Sequence, residues 1–295
     1  MKPILTIFTP TYNRAYILHQ LYNSLCEQNN LNFIWLIVDD GSTDNTRELI
    51  NKWLEEKKLS IKYIYQPNQG KHIAWNTAID KCTTELFYPV DSDDYLLSNA
   101  VENIYDEEKY IKDKNIIGIL GLKITKDREP LGKKNLPCKI KYISLSELYE
   151  KYKFKGETSL VFKSGILKNY LFPKIKGEKF IGEEYVYCQI DRHYKYYLTN
   201  KTYYIAEYLQ DGYTSNMHRL IANNPRGYML TKYKKLQNST TLKVKYKSAT
   251  LYIVGAWLCN EKHYIKKSPN KFITILAFPL AILVYFKRFY IIKNK

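Results

Sequence analysis

Apolar runs and polar clusters alternate along the first hundred residues. Ile4 to Phe8 is a short apolar run that closes on Thr9-Pro10-Thr11-Tyr12-Asn13. Ile17, Leu21, Tyr22 and Leu25 then recur at helical spacing. Phe33 to Val38 is a second apolar run, closed by Asp39-Asp40-Gly41-Ser42. Asp44 to Lys57 predicts a helix with Leu49, Ile50, Trp53 and Leu54 on one side. Ile61 to Tyr65 reads as a third strand, Lys71 to Lys81 as a helix, and Glu85 to Val90 as a fourth strand ending at Asp91-Ser92-Asp93-Asp94. Strand and helix in strict alternation imply right-handed crossovers and a mostly parallel sheet. Ligands of open α/β sheets bind outside the carboxyl ends of the strands. Thr9 to Asn13, Asp39 to Ser42 and Asp91 to Asp94 are therefore expected to converge on one crevice.

The second half is less regular. Ile116 to Leu122 reads as a strand, and 126–137, rich in charge, Gly and Pro, as a mobile loop. Ser144-Leu145-Ser146-Glu147 has the form of a capping box opening a short helix. Glu157 to Phe162 predicts a strand and Glu184 to Tyr197 a helix. From about Met217 to Lys262 the pattern is largely helical.

Phe272 to Phe286 is apolar except for Thr274 and Pro279. The run is shorter than the ~20 residues a bilayer-spanning helix needs. From 261 to 295 there are eight Lys or Arg and one acid, Glu261. An apolar run with such flanks predicts an in-plane or re-entrant anchor on an anionic membrane surface. The alternative is a C-terminal helix packed on the protein's own core.

Composition refines this picture. The 295 residues carry a formal charge of +17, which suits polyanions. The basic tail favours a membrane surface over nucleic acid. The five cysteines form no CxxC pair, and their odd number fits a reducing cytoplasm. MKPILTIFTPTYN has too short an apolar stretch for export and reads as a buried first strand.

Four clusters carry chemistry. Three carboxylates in Asp91-Ser92-Asp93-Asp94 repel one another unless a cation or solvent offsets them. At a strand end a hard divalent cation bridging to phosphate is the natural partner, the bland alternative being a solvated N-cap turn. A carboxylate of Asp39-Asp40-Gly41-Ser42 can accept the imide N–H of uracil or ribose hydroxyls, or the segment is simply a tight turn. Tyr12 can stack on a base. In Asn68-Gln69-Gly70-Lys71-His72, Gly70 permits close backbone approach, and Lys71 and a helix N-terminus suit phosphate. Neither GxxxxGK[ST] nor GxGxxG is present, so the phosphate-loop and dinucleotide readings fail.

In the order TYN, DDGS, NxG and DSDD, over roughly residues 3 to 110, the chain resembles the inverting family 2 glycosyltransferases of the GT-A fold. The resemblance implies that Thr9, Tyr12 and Asp39 hold the nucleoside. It also implies that Asp91 and Asp93 form the DxD element for diphosphate and Mg²⁺ or Mn²⁺, Asp93 being the direct ligand. The family places its general base in an acidic pair at a helix start, matched here by Glu183-Glu184. The second position is Glu where the family has Asp, which leaves the choice between them open. Tyr187, four places on, favours Glu183. Tyr208 to Ser215 also looks like a segment of capsule and lipopolysaccharide transferases of this family.

The expected protein is thus an α/β GT-A fold, Rossmann-like with a mostly parallel sheet and a helical C-terminal extension. Residues 1–110 would bind the nucleotide-sugar, 111–216 the acceptor, and 217–295 the membrane. The expected reaction moves a sugar from a nucleotide diphosphate, such as a UDP-sugar, to a bacterial surface glycan or lipid-linked precursor at the inner face of the plasma membrane. The rivals are a sugar nucleotidyltransferase, whose Gly-rich, Arg-containing loop is replaced by TPTYNR, and a non-catalytic glycan- or polyanion-binding protein.

Overall fold

The computed structural model describes residues 2–132, 136–137, 139–206 and 217–289. The chain divides into two compact units. One joins Met1–Leu171 to Tyr194–Leu209, the other Phe172–His193 to Gln210–Lys295.

The first unit begins as the hydrophobic pattern predicts. β1 (Leu5–Thr11), α1 (Leu18–Cys26), β2 (Phe33–Asp39), α2 (Thr46–Glu56), β3 (Ile61–Tyr65), α3 (Lys71–Lys81) and β4 (Leu86–Pro89) follow in order. These four strands are mutually parallel, arranged β3-β2-β1-β4. β5 (Tyr95–Leu96), α4 (Ala100–Glu107), β6 (Ile116–Ile124), β7 (Tyr142–Ile143), β8 (Thr158–Lys163), α5 (Ser164–Leu167) and, after the excursion into the second unit, β9 (Lys195–Ile205) complete it. β8 enters antiparallel beside β4, β6 pairs antiparallel with β8, and β9 runs parallel to β6. The sheet is therefore mixed, with its four-stranded parallel block at the N-terminal end of the chain.

Both faces of the parallel part are apolar. On one, Trp35 stands beside the stacked pair Tyr22 and Trp53, whose rings lie 4.2 Å apart, so α1 and α2 cover this face. On the other, Trp75 of α3 meets Phe8, Phe87 and Phe162 edge-on. Burial of such aromatics is the main source of the sheet's stability.

β1 continues to Thr11, beyond the predicted Phe8, because Thr9, Pro10 and Thr11 pair with Ile37, Val38 and Asp39. Ladder hydrogen bonds override the turn propensity of Thr-Pro. The Ser144–Glu147 capping box forms reciprocally: Ser144 N donates to Glu147 Oε2 at 2.9 Å and Glu147 N to Ser144 Oγ at 3.1 Å. The expected mobile loop is pinned at its start. Leu131 N donates to Lys123 O, and Glu157 N to Leu131 O. The remainder of that loop lies partly outside the described residues, as do Cys138 and the segment Tyr208 to Ser215.

In the second unit, α6 (Glu184–Ile190) is shorter than predicted. The helix does not reach Tyr197, because Tyr196 and Leu198 are buried in β9 opposite Gly118 and Leu120 of β6. Non-local strand pairing wins over local helical spacing there. α7 (Met217–Asn223), α8 (Pro225–Asn238) and α9 (Leu242–Leu258) bear out the helical pattern after Met217, followed by α10 (Tyr264–Lys267), α11 (Lys271–Leu276) and α12 (Phe278–Arg288). Ile273, Ala277, Ala281 and Phe289 share one buried cluster with Ala249, Ile253 and Val254. One side of the apolar C-terminal run is thus core, and its other side is exposed.

Candidate functional site

Parallel pairing in register lines up the strand ends. Thr11, Asp39 and Tyr65 stand side by side across β1, β2 and β3. Val90 N donates to Phe8 O at 2.8 Å, so the turn after β4 leaves the same edge. The expected convergence of the three polar turns follows from this register.

The turns are tied together by hydrogen bonds. Asn13 N donates to Ser42 Oγ at 2.9 Å, Thr43 N to Asn13 Oδ1 at 2.8 Å, and Ala15 N to Asp44 Oδ2 at 3.1 Å. Asp40 links the second turn to the 66–70 segment that leads into α3. Its Oδ1 accepts from Gln66 Nε2 and Gln69 N, and its Oδ2 accepts from Gly70 N at 2.7 Å. Gly70 can present that N–H because its φ of 94° is open to glycine. Gly41, with a φ of 86°, is needed for a second reason as well: a Cβ there would lie 2.8 Å from Asn68 N.

The predicted nucleoside residues separate in this frame. Tyr12 is 48% exposed, as a stacking ring requires. Asp39 is fully buried; its Oδ1 accepts from Ser42 N and its Oδ2 from Tyr63 OH, each at 2.8 Å. Thr9 is also fully buried, and its hydroxyl accepts from the Trp35 indole at 3.0 Å. Its hydroxyl is thus engaged by the core under α1 and α2. Thr11, which the sequence reading passed over, is 3% exposed, and its hydroxyl has no hydrogen-bond partner among the described residues. A buried hydroxyl left unmatched is costly, and Thr11 stands opposite Asp39 at the ligand edge. Alternation along β1 cannot distinguish the two threonines, since both point to the same face.

The acidic turn is a compact cluster. Oxygens of Asp91, Asp93 and Asp94 lie within 4.8 Å of one another. Burial pushes the Asp94 carboxyl up to about 7, with Lys123 pulling against it and the Asp91 charge adding to it. Asp93 is raised as well, by burial first and then by Asp91. For Asp91 burial also acts upward, but Lys71 and Lys123 outweigh it, and it lies below the usual carboxylate range. Lys71 Nζ is 2.6 Å from Asp91 Oδ1. Three carboxylates so close together, two of them raised by burial and by the Asp91 charge, form an oxygen-rich donor set that fits a hard divalent cation.

Two residues from distant strands hold the turn. Tyr204 of β9 accepts from Asp91 N at 2.9 Å through its hydroxyl. Lys123, at the end of β6, has its Nζ 3.6 Å from Asp94 Oδ2 and 4.2 Å from the centre of the Tyr204 ring. Lys123 was visible in the sequence only as a charge closing an apolar run, and Tyr204 is one of 29 tyrosines.

Glu183 and Glu184 belong to the second unit. They open α6 and differ sharply in partners. Glu184 forms ion pairs with Lys232 and Lys235 of α8, the latter at 3.5 Å. Burial acts upward on its carboxyl, but these two lysines outweigh it and hold it below the ordinary range. Glu183 Oε2 accepts from the Tyr187 hydroxyl at 2.9 Å.

Fold and site together define a class: an α/β protein whose polar turns and acidic cluster gather at the carboxyl edge of its parallel strands. Residues 6–169 match the model of Glycosyl transferase family 2, more than half of the chain, and the chain belongs to that family. Similar proteins include the GalNAc(5)-diNAcBac-PP-undecaprenol β-1,3-glucosyltransferase of Campylobacter jejuni, 27% identical over 188 residues, which are 62% of this chain and 57% of that protein. The match spans 35%, 12% and 11% of the lengths of the first three curated relatives. Among solved structures, S. aureus TarS 1-349 in complex with UDP-GlcNAc is similar with a TM-score of 0.59 and 20% identity, covering 96% of this chain and 81% of that one. The mannosyltransferase PcManGT of Pyrobaculum calidifontis, in complex with GDP-Man and Mn2+, gives 0.53 and 18%, covering 96% and 88%. At these identities the likeness is one of fold, the GT-A type.

Proposed function

We propose that the protein is a metal-assisted, inverting glycosyltransferase. It moves a sugar from a nucleoside diphosphate, a UDP-sugar in the simplest reading, to a hydroxyl of a bacterial surface glycan or lipid-linked precursor. The observation that carries this is the grouping of Tyr12, Thr11, Asp39, Lys71 and the Asp91–Asp94 cluster on one edge of the sheet. Residues 1–110 hold the donor, 111–216 supply the acceptor side, and 217–295 hold the protein to the inner face of the plasma membrane.

Each residue then has a task. Tyr12 stacks on the base, while Asp39 accepts from its edge and Thr11 offers its unmatched hydroxyl beside it. Lys71, at the N-terminus of α3, draws the diphosphate by charge and by the helix dipole. Asp93 and Asp91 would hold Mg²⁺ or Mn²⁺. That ion would offset the negative charge that develops on the departing diphosphate. Glu183 takes the proton from the acceptor hydroxyl as it attacks the anomeric carbon, and Glu184 anchors α6 to α8. The two lysine pairs of Glu184 favour this division of labour.

The reading is tested by screening nucleotide-sugars for protection against thermal unfolding and for transfer to an acceptor. A UDP-sugar should raise Tm in the presence of Mg²⁺ or Mn²⁺. The reading fails if no nucleoside diphosphate sugar protects the protein or is turned over.

A further inference from the structure

The C-terminal rod has two unlike apolar faces. α11 is capped by Asn270, whose Oδ1 accepts from Ile273 N at 3.0 Å. Ala277 N donates to Ile273 O at 2.9 Å and Ala281 N to Ala277 O at 3.0 Å, so the helical ladder runs on from α11 into α12. Ile273, Ala277, Ala281 and Phe289 face inward onto α9. Phe272, Ile275, Leu276, Leu283 and Phe286 are 72%, 56%, 51%, 67% and 56% exposed. They recur about every three to four residues and form one outward stripe. Leu242 of α9, 75% exposed, adds to the exposed apolar surface of this unit. A contiguous apolar surface of this kind marks an interaction site.

We infer that the outward face of α11 and α12, with the start of α9, docks in the plane of an anionic lipid bilayer. This deepens the peripheral-membrane reading above and rests on it, but not on the chemistry of transfer. No described helix is long and apolar enough to cross a membrane. The rod from Lys271 to Arg288 would measure about 27 Å at the helical rise. It does not stand alone, however: Tyr246 donates to Leu276 O at 3.4 Å, which sets the start of α9 against the middle of the rod. α9 carries Lys243, Lys245 and Lys247 there, and an upright rod would draw these ammonium groups into hydrocarbon. Lying flat, the rod buries its stripe among acyl chains and leaves the lysines at the headgroups.

Charge selects lipid over a second copy of the chain. Lys262, Lys266, Lys271, Lys287 and Arg288 are exposed at the two ends of the stripe. The only acid from 261 to 289 is Glu261, paired with Lys267 at 3.0 Å. Two such faces packed on each other would oppose like charges, whereas phosphate headgroups complement them.

The test uses the full-length protein and vesicles of phosphatidylglycerol with phosphatidylethanolamine, against vesicles of phosphatidylcholine alone. Binding is read by flotation. The variant Phe272→Asp/Leu283→Asp/Phe286→Asp removes the stripe. Lys266→Glu/Lys271→Glu/Arg288→Glu reverses the rim. Both sets are exposed, so Tm should hold, and UDP affinity by calorimetry should match the wild type. The wild type should bind anionic vesicles at least ~10-fold better than neutral ones. Each variant should lose at least ~10-fold on anionic vesicles, and the wild-type advantage should collapse at high salt. Wild-type levels of flotation in both variants overturn the inference. So does a wild type that ignores vesicles but forms a dimer that the stripe variant breaks, which would make a second copy the occupant. Absence of UDP binding in a wild type that floats normally would sink the transferase reading and leave this one standing.

Discussion

Tyr187 donates its hydroxyl to Glu183 Oε2 at 2.9 Å, from one turn further along α6. The bond orients a carboxylate at a helix start, while the neighbouring Glu184 is turned to the lysines of α8. Adjacent residues on a helix point about 100° apart, so the two glutamates cannot share one role. Glu183→Gln is expected to lower kcat by ~10²–10⁴-fold with UDP affinity nearly unchanged. Tyr187→Phe should cost about fivefold, the worth of one hydrogen bond. Steady-state kinetics with calorimetry separates the two effects. Normal turnover in Glu183→Gln would move the base elsewhere.

Glu184 should instead govern stability. Its carboxyl is held below the value of 4.5 that it has when unfolded. The unfolded chain therefore takes up the proton first. The stabilisation is present above about pH 4.5 and is lost as pH falls through the lower folded value. Solvent-screened, it should be worth about 1 kcal/mol. Glu184→Gln is expected to lower Tm by roughly 2–4 °C at pH 7. The gap to the wild type should close as the pH falls well below 4.5. A gap independent of pH would assign the loss to packing.

For the acidic turn, Asp93→Ala and Asp91→Ala should each lower donor turnover by at least ~10²-fold. Chelator should have the same effect on the wild type, reversed by Mg²⁺ or Mn²⁺. Circular dichroism should be unchanged in Asp93→Ala, since the removed charge is one that its neighbours oppose. Full turnover in excess chelator would remove the metal from the mechanism.

At the nucleoside edge, Asp39→Asn and Thr11→Val are expected to weaken UDP binding by about 5- to 50-fold, the range for a buried hydrogen bond lost to a ligand. Thr9→Val should leave UDP affinity unchanged and instead lower Tm, since it orphans the Trp35 indole. Calorimetry on the three variants decides between the two threonines. A larger affinity loss for Thr9→Val would restore Thr9 to the ligand.

Asp40 has a structural part in the same edge. Asp40→Ala would orphan the backbone N–H groups of Gln69 and Gly70. Each buried donor left unmatched costs about 1–3 kcal/mol. A clear fall in Tm, with weakened nucleotide binding following from a displaced Lys71, is expected in thermal unfolding and calorimetry. An unchanged Tm would show that the 66–70 segment is held by other means.

The sequence by itself determined the parallel half of the sheet and the edge at which its polar turns gather. Local apolar runs such as Phe33 to Val38 are buried on both sides, and a strand of that kind has few alternatives. Once the strands are parallel, the polar turns at Asp39 and Asp91 must leave the same edge. The helical C-terminal region was legible for the same reason, from spacing alone. Tertiary structure decided what spacing cannot express. Thr9 and Thr11 have the same period and face the same side, yet one meets Trp35 and the other stands unmatched beside Asp39. Asp39 and Asp40 adjoin in sequence, and only the approach of Gln69 and Gly70 gives the second to the backbone. Lys123 and Tyr204 reach the acidic turn from strands far along the chain. Tyr196 leaves a helical pattern because β6 offers it a partner. Ile273 and Ile275, two places apart in one apolar run, end on opposite faces of a rod, one in the core and one exposed. In each case the deciding partner is distant in sequence, and a pairing made by packing leaves no periodic trace in the chain.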